Sequence, residues 1–239
     1  MKKTAIWVGV GALAWFGWAL RAQGPETAVS QFRLVEVASV ADAMEQLYGA
    51  KAYMDHRFRP IEPAKFAGPA VTVSLVRDEN KEGSKLLQPM LDAIDAAPEG
   101  SVYVMVLEDG ADYAGIGGLM STAMKYRGLA GAVVEGGVRD TPQIRRLGFP
   151  VFSTGVVPST TVGHYKVAGV NVPVRCGGVE VRPGDIVSAY SDGIVVIPKD
   201  KAAEVLKRAQ QMDETEHSMY PYIEKYRSIA EAVKKFGRI

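Results

Sequence analysis

The residues whose types and spacing could do chemistry lie between Gly115 and Asp140, in the stretch GIGGLMSTAMKYRGLAGAVVEGGVRD. Arg139 offers a planar fork of donors for a carboxylate or an enolate oxygen. Asp140 beside it can hold a hard divalent cation. Upstream, Gly115, Gly117 and Gly118 open a short helical run from Leu119 to Arg127. Glycines there let backbone N–H groups approach an anion closely, and a helix N-terminus favours negative charge. Together these features suit a small oxo-acid bound through its carboxylate and carbonyl.

Each part also has a plainer reading. A glycine-rich loop before a helix is commonly only a turn. Asp140-Thr141-Pro142 reads equally as a helix start, with Thr141 as N-cap and Pro142 at the first helical position. Arg139 could pair with Glu135.

The elements that must position these residues follow from periodicity. Ala132-Val133-Val134 has a buried-strand pattern that breaks at Gly136-Gly137. Residues 30–50 carry apolar positions at helical spacing (Val35, Val37, Val40, Ala43, Met44, Leu47), predicting one or two short helices that end at Gly49, with Asp42 exposed. Residues 51–69 contain three prolines and read as an irregular crossing. Val71–Val76 and Ser101–Leu107 are β-branched, strand-like runs, and the charged run Arg77–Lys85 between them is a solvated loop. Leu86–Ala97 has helical spacing and stops at the turn Pro98-Glu99-Gly100.

Beyond Asp140 the pattern predicts a helix over Thr141–Leu147, closed by Gly148, and a strand over Pro150–Thr154. Short β segments with Gly/Pro turns follow at Val170–Val174, Gly178–Val181, Asp185–Ala189 and Ile194–Ile197. From Lys199 to Phe236 the chain reads as helix, interrupted at Pro221. Strands alternating with helices, then short antiparallel strands, predict a mixed α/β layered fold with a second β layer that a plain doubly wound sheet lacks.

A chain of 239 residues has ample length to bury a core. Its first two dozen residues differ in kind from the rest. Lys2-Lys3 precede an apolar run, Thr4–Leu20, that holds Trp7, Trp15 and Trp18, with Ala22, Gly24 and Pro25 following. This is the layout of a secretory signal, cleaved after Ala22 or Gly24. At about 17 residues the run is at the short limit for a spanning helix, the alternative being an uncleaved anchor and the only membrane attachment. The sequence thus predicts residues 1–24 as a signal peptide, residues 25–239 as a single domain, and export to the periplasm. The formal net charge is +1, and without Lys2, Lys3 and Arg21 it is −2. No basic block marks a nucleic-acid partner.

The single cysteine, Cys176, cannot form an internal disulfide and is expected to pack as a small apolar residue. His56, His164 and His217 lack metal-ligand spacing, so zinc of the thiolate or imidazole kind has no support. No G-x-S-x-G elbow, H-E-x-x-H or P-loop occurs.

In several phrases the chain resembles the family of the RraA proteins and the 4-hydroxy-4-methyl-2-oxoglutarate/4-carboxy-4-hydroxy-2-oxoadipate aldolases. They are Ser39-Val40-Ala41-Asp42-Ala43, Ala67-Gly68-Pro69-Ala70-Val71-Thr72-Val73 and Ala93-Ile94-Asp95 with Pro98-Glu99-Gly100. The most specific is Gly118-Leu119, Ala123, Arg127-Gly128, Gly131 and Gly136-Gly137-Val138-Arg139-Asp140. Val181-Arg182-Pro183-Gly184-Asp185 and Asp192-Gly193-Ile194-Val195-Val196-Ile197-Pro198 complete the set, so that the likeness covers residues 30–236.

The resemblance implies a swivelling β/β/α layered fold with C-terminal helices, in a homotrimer or hexamer whose sites lie between subunits. It further implies a pyruvate aldolase dependent on Mg²⁺ or Mn²⁺, commonly with oxaloacetate decarboxylation. The loop N–H groups at Gly117, Gly118, Leu119 and Met120 would hold the pyruvyl carboxylate. Arg139 would stabilise the enolate, Asp140 would anchor the metal, and a neighbouring subunit would supply an acid, Glu216 or else Glu214. Splitting a C–C bond beta to a carbonyl leaves an enolate, so a Lewis-acid cation and a guanidinium suit the chemistry. The chain departs from the family at Glu135, where Asp is usual, at Gly117-Gly118, where many members carry an acidic or amide side chain, and at Tyr190, where a second Asp often stands. Two alternatives follow: a metal-dependent hydratase, decarboxylase or tautomerase on another carbonyl substrate, and a non-catalytic binding protein.

Overall fold

The computed structural model of the protein describes residues 25–237. The signal segment expected over residues 1–24 lies outside the described residues. Helices α1 (Pro25–Phe32) and α2 (Val37–Tyr48) lead into β1 (Arg59–Pro60), β2 (Phe66–Arg77), α3 (Gln88–Ala96) and β3 (Val102–Leu107). Next come β4 (Ala114–Ile116), α4 (Gly118–Tyr126), β5 (Gly131–Val138), α5 (Thr141–Leu147) and β6 (Val151–Val156). Short strands follow as β7 (Tyr165–Val170), β8 (Val174–Cys176), β9 (Val179–Val181), β10 (Ile186–Tyr190) and β11 (Gly193–Ile197), before α6 (Ala202–Tyr226) and α7 (Ile229–Phe236).

Nine of the strands form one curled sheet in the order β1-β6-β5-β3-β2-β10-β11, with β4 against β5 and β7 against β2; β8 and β9 form a separate hairpin. Strands β2, β3, β5 and β6 run parallel, joined by helical crossovers, as parallel pairing demands. Strand β2 is the pivot. Its first four residues pair antiparallel with β10, Ala70–Leu75 pair with β3, and Val73–Arg77 pair with β7.

The alternation of side chains along each strand divides the apolar runs among three cores. On β3, Tyr103, Met105 and Leu107 face the helices α3, α4 and α5, where Met90, Ile94, Met124 and Ile144 cover them. Val102 and Val104 face the opposite way, into the inside of the curled sheet with Phe66, Phe152, Val133, Val187 and Val196. Ile186, Val195 and Ile197 turn outward from β10 and β11 beneath α2 and α6, against Val40, Met44, Val205 and Leu206. The result is the layered β/β/α arrangement with C-terminal helices.

Helix α2 ends as expected at Gly49, whose left-handed φ of 62° lets its N–H reach Glu45 O. Four expectations are corrected. Residues 51–69 are not wholly irregular, because β1 and the first turn of pairing in β2 lie within them. The strand expected over Val170–Val174 is divided between the end of β7 and the start of β8, with Asn171 at φ 52° between them. Pro221 does not interrupt the C-terminal helix: α6 runs through it, and the break falls at Arg227, which has φ 52°. The cap of α5 is Asp140, one residue before Thr141.

Candidate active site

Two adjacent parallel strands each end in a helix, and their ends form the site. Strand β4 pairs with the end of β5, Ala114 opposite Gly137 and Ile116 opposite Val138. After β4 the chain passes Gly117 into α4. After β5 it passes Arg139 and Asp140 into α5. The Arg139 N–H donates to Ile116 O at 3.1 Å, which holds the two exits together. Strand β4 was invisible in the sequence, since three small or apolar residues beside a glycine cluster carry no strand period.

Glycine at 117 is a matter of space. A Cβ there would lie 2.7 Å from Asp140 Oδ2 and 3.0 Å from Arg139 Cγ. The first is closer than real Cβ atoms come, so any side chain at 117 would have to push the Asp140 carboxylate aside. Asp140 takes a left-handed φ of 57°, an uncommon state for a residue with a Cβ. Its side chain does not cap its own helix. Instead Oδ2 accepts the N–H of Gly118 at 2.9 Å, capping the neighbouring helix α4. The Gly118 N–H, expected to face a substrate carboxylate, thus donates to Asp140 in this structure. Ser121 N–H bonds Gly117 O at 3.0 Å. The N–H groups of Leu119 and Met120 in the first turn of α4 remain available to an anion.

Arg139 lies 3.8 Å from Asp140 Oδ2 through Nε, and its Nη1 donates to Ser159 O at 3.2 Å. Ser159 in turn donates to Asp112 O at 2.5 Å, and Val157 N–H bonds Val138 O at 3.0 Å. The segment after β6 is thus laced to the guanidinium, a contribution the sequence did not signal beyond the polar run Ser159-Thr160-Thr161. Arg139 does not pair with Glu135. That carboxylate faces elsewhere, binding Arg57 Nη2 at 2.9 Å through Oε1 and the Gly177 N–H at 2.9 Å through Oε2. The longer reach of Glu at this position serves a structural tie.

Arg139, Asp140 and Gly117, Gly118, Leu119 and Met120 line one cavity of about 430 Å³. Its other walls come from Leu87, Met90, Leu91 and Ile94 around α3, and from Thr160, Thr161 and Val162. Glu216 is elsewhere. It sits on α6, where it accepts the Tyr220 hydroxyl at 2.5 Å, and no residue of α6 lines the cavity. Tyr190 is also remote, packing at the end of β10 against the core beneath α2 and α6. Cys176 is buried, and burial, with Glu135 and Asp55 nearby, pushes its thiol well above the ordinary range. It packs as an apolar residue.

Among the described residues no group of three or more His, Cys, Asp or Glu could enclose a metal ion. A hydrated Mg²⁺ or Mn²⁺ asks for less, one or two carboxylates with water completing the shell. Asp140 fits that demand. One carboxylate oxygen is fixed by the Gly118 N–H, and the other takes no hydrogen bond among the described residues. A ligand oriented by a hydrogen bond to its second oxygen is the usual support around a metal.

The sequence profile of the RraA-like family (Aldolase/RraA) matches residues 37–196. A protein of Halalkalibacterium halodurans, provisionally named a 4-hydroxy-4-methyl-2-oxoglutarate aldolase, is 32% identical over 187 residues, 77% of this chain and 82% of the relative. A 4-hydroxy-4-methyl-2-oxoglutarate aldolase of Thermus thermophilus is 30% identical over 138 residues, 57% of this chain and 77% of that one. Among solved structures, Streptomyces coelicolor RraAS2, described as an unusual member of the RNase ES inhibitor RraA protein family, matches with TM-score 0.70 and 29% identity over 80% of this chain and 93% of its own.

Proposed function

The chain belongs to the RraA-like family, and from that membership and the geometry around Arg139 we propose that it is a divalent-metal-dependent lyase of the pyruvate-aldolase type. It would cleave a 4-hydroxy-2-oxo acid to pyruvate and a second oxo-acid, and decarboxylate oxaloacetate by the same route. The observation that carries this reading is the close packing of Arg139 and Asp140 on Gly117 at the mouth of the cavity.

The N–H groups of Leu119 and Met120 receive the substrate carboxylate at the N-terminus of α4. Arg139, steadied by Ser159 O, donates to the 2-oxo oxygen, where negative charge grows as the C3–C4 bond breaks. Asp140 would hold Mg²⁺ or Mn²⁺, which when bound supplies Lewis-acid charge to the same oxygen. Among the described residues no Lys or His lines the cavity, so a Schiff-base nucleophile is missing there and the 4-hydroxyl proton leaves through water. Leu119 is 90% exposed and Val156 59%, an apolar rim that a neighbouring subunit of a trimer or hexamer would cover, bringing Glu216 or Glu214 to the site.

The test is exchange of the pyruvate methyl protons with solvent deuterium, followed by NMR, which requires only the enolate step. It is run with Mn²⁺, with EDTA, and on Arg139→Ala, alongside pyruvate release from oxaloacetate and 4-hydroxy-4-methyl-2-oxoglutarate. Metal-dependent exchange that vanishes in the variant supports the lyase. Exchange unaffected by the variant would refute it, and failure of both exchange and metal binding would favour a binding protein.

The reading includes export, with residues 1–24 as the signal. The N-terminal residue of the protein recovered from cells checks it; a chain that still begins at Met1 in the cytoplasm would reject it.

A further inference from the structure

We propose that Thr161, with Thr160 and Ser84, recognises the second carboxylate of the substrate and so determines which 2-oxo acids the site accepts. The proposal rests on the reading that Arg139 and the start of α4 hold the 2-oxo acid end. It assigns residues of this chain to the other end, which that reading leaves open.

The cavity is larger than a three-carbon unit requires, and its lining holds the hydroxyls of Ser84, Thr160 and Thr161. Thr161 is the informative one. It is only 2% exposed, and its carbonyl accepts the N–H groups of His164 and Tyr165, yet its hydroxyl takes no hydrogen bond among the described residues. A buried hydroxyl without a partner is costly unless something that enters the cavity completes it. Thr160 Oγ1 accepts the Val162 N–H at 3.2 Å, which leaves its own proton free to donate.

The segment that carries the two threonines is held at both ends. Arg139 Nη1 donates to Ser159 O at 3.2 Å, while the N–H groups of Asn80 and Asp78 donate to Gly163 O and His164 O, each at 2.9 Å. The first tie places Thr160 directly after the carbonyl that steadies the guanidinium. The other two join the segment to the loop that leads from β2 to Ser84. A ligand whose 2-oxo oxygen meets Arg139 therefore extends past hydroxyls already fixed in position.

Arg139 is the only cationic side chain that lines the cavity among the described residues, so a second carboxylate is met by neutral donors. Val162 is 42% exposed, so water reaches this end and completes the shell around the carboxylate. Asp95, which also lines the cavity, lies in the last turn of α3, about 10 Å along the helix from Gln88, and Ser84 precedes that start. Repulsion from Asp95 thus turns a second carboxylate toward the hydroxyl end of the cavity.

The experiment measures binding of pyruvate, 2-oxopentanoate and 2-oxoglutarate to the full-length protein by calorimetry, with Mn²⁺ present. The last two have the same chain length and differ in the second carboxylate. In the parent, 2-oxoglutarate should bind about tenfold more tightly than 2-oxopentanoate. Thr161→Val keeps the shape of the side chain, and it should weaken 2-oxoglutarate about tenfold while leaving pyruvate unchanged. Thr161→Ser keeps the hydroxyl and should keep the preference. Ser84→Ala, at an exposed position, should weaken 2-oxoglutarate about threefold, since water competes there. Pyruvate binding with 2-oxoglutarate no tighter than 2-oxopentanoate would overturn the proposal alone, and so would a preference that survives both Thr161→Val and Ser84→Ala. Equal weakening of pyruvate and 2-oxoglutarate by Thr161→Val would do the same, because the residue would then only support the segment bound to Arg139. If none of the three acids binds, the oxo-acid reading falls and this proposal with it.

Discussion

The Gly118 N–H and Asp140 Oδ2 meet at 2.9 Å, so the acid proposed to hold the metal is also the N-terminal cap of the helix beside it. Charge and capping can be separated by one substitution. Asp140→Asn keeps an oxygen for Gly118 and tolerates the left-handed φ of 57°. Its stability should stay within about 0.5 kcal/mol of the parent, because a cap of equal quality is retained. Mn²⁺ binding and methyl exchange should be lost, the latter by at least about a hundredfold. Asp140→Ala should lose both functions and about 1–2 kcal/mol besides, from the vacated cap and the strained backbone. Denaturant melts with Mn²⁺ titrations distinguish them; an active Asp140→Asn would remove the acid from the mechanism.

Gly117→Ala tests whether the crowding at the loop matters. The added methyl would sit 2.7 Å from Asp140 Oδ2 and must displace it. Misplacement of about 1 Å at reacting groups costs on the order of a hundredfold in rate. Exchange should fall by about that factor, and the melting temperature should fall with it, because the displaced carboxylate is also the cap of α4, worth about 1 kcal/mol. Full activity would mean that Asp140 works from a different position.

Pro221 lies within α6, where it lacks an N–H for the helical ladder and crowds the preceding turn. Pro221→Ala should therefore stabilise the protein, by about 1–3 kcal/mol if the helix is already continuous. An unchanged or lower unfolding free energy in urea would mean that the helix is interrupted at this residue after all.

Acid stability should reflect Asp55. Its hydrogen bonds from the Arg57 guanidinium hold its carboxyl below the ordinary value of 3.8. A depressed folded pKa contributes stability that is fully present above 3.8 and is lost as pH falls through the lower folded value. For an exposed pair this amounts to about 0.2–1 kcal/mol. The difference in unfolding free energy between the parent and Asp55→Asn should be constant near neutrality and shrink below pH 3.8. A gap that widens toward acid would contradict the assignment.

Much of this architecture is legible in the chain, and the exceptions have physical causes. The runs on β3 and β5 and the left-handed stops at Gly49 and Gly148 follow from local pattern, and so does the adjacency of Arg139 and Asp140. Strand β4 escaped because its pairing comes from β5, far along the chain, and its own three residues have no period. The helix through Pro221 escaped because tertiary packing outweighs the local penalty of proline. At the site, Met90 and Ile94 read as core, which they are. That one face of α3 also walls a cavity depends on how α4 is placed against it. Glu135 looked like a partner for Arg139 because the two are close in sequence, yet along a strand that spacing separates them by over about ten ångströms.

Strand β2 has a consequence for how the molecule comes apart. The same twelve residues are hydrogen-bonded to β3, β7 and β10, and they supply side chains to all three apolar clusters. No cluster can melt while β2 stays whole in the others. The described residues should therefore unfold in a single calorimetric transition. The amides of β2 should be among the last to exchange, opening only with the global event.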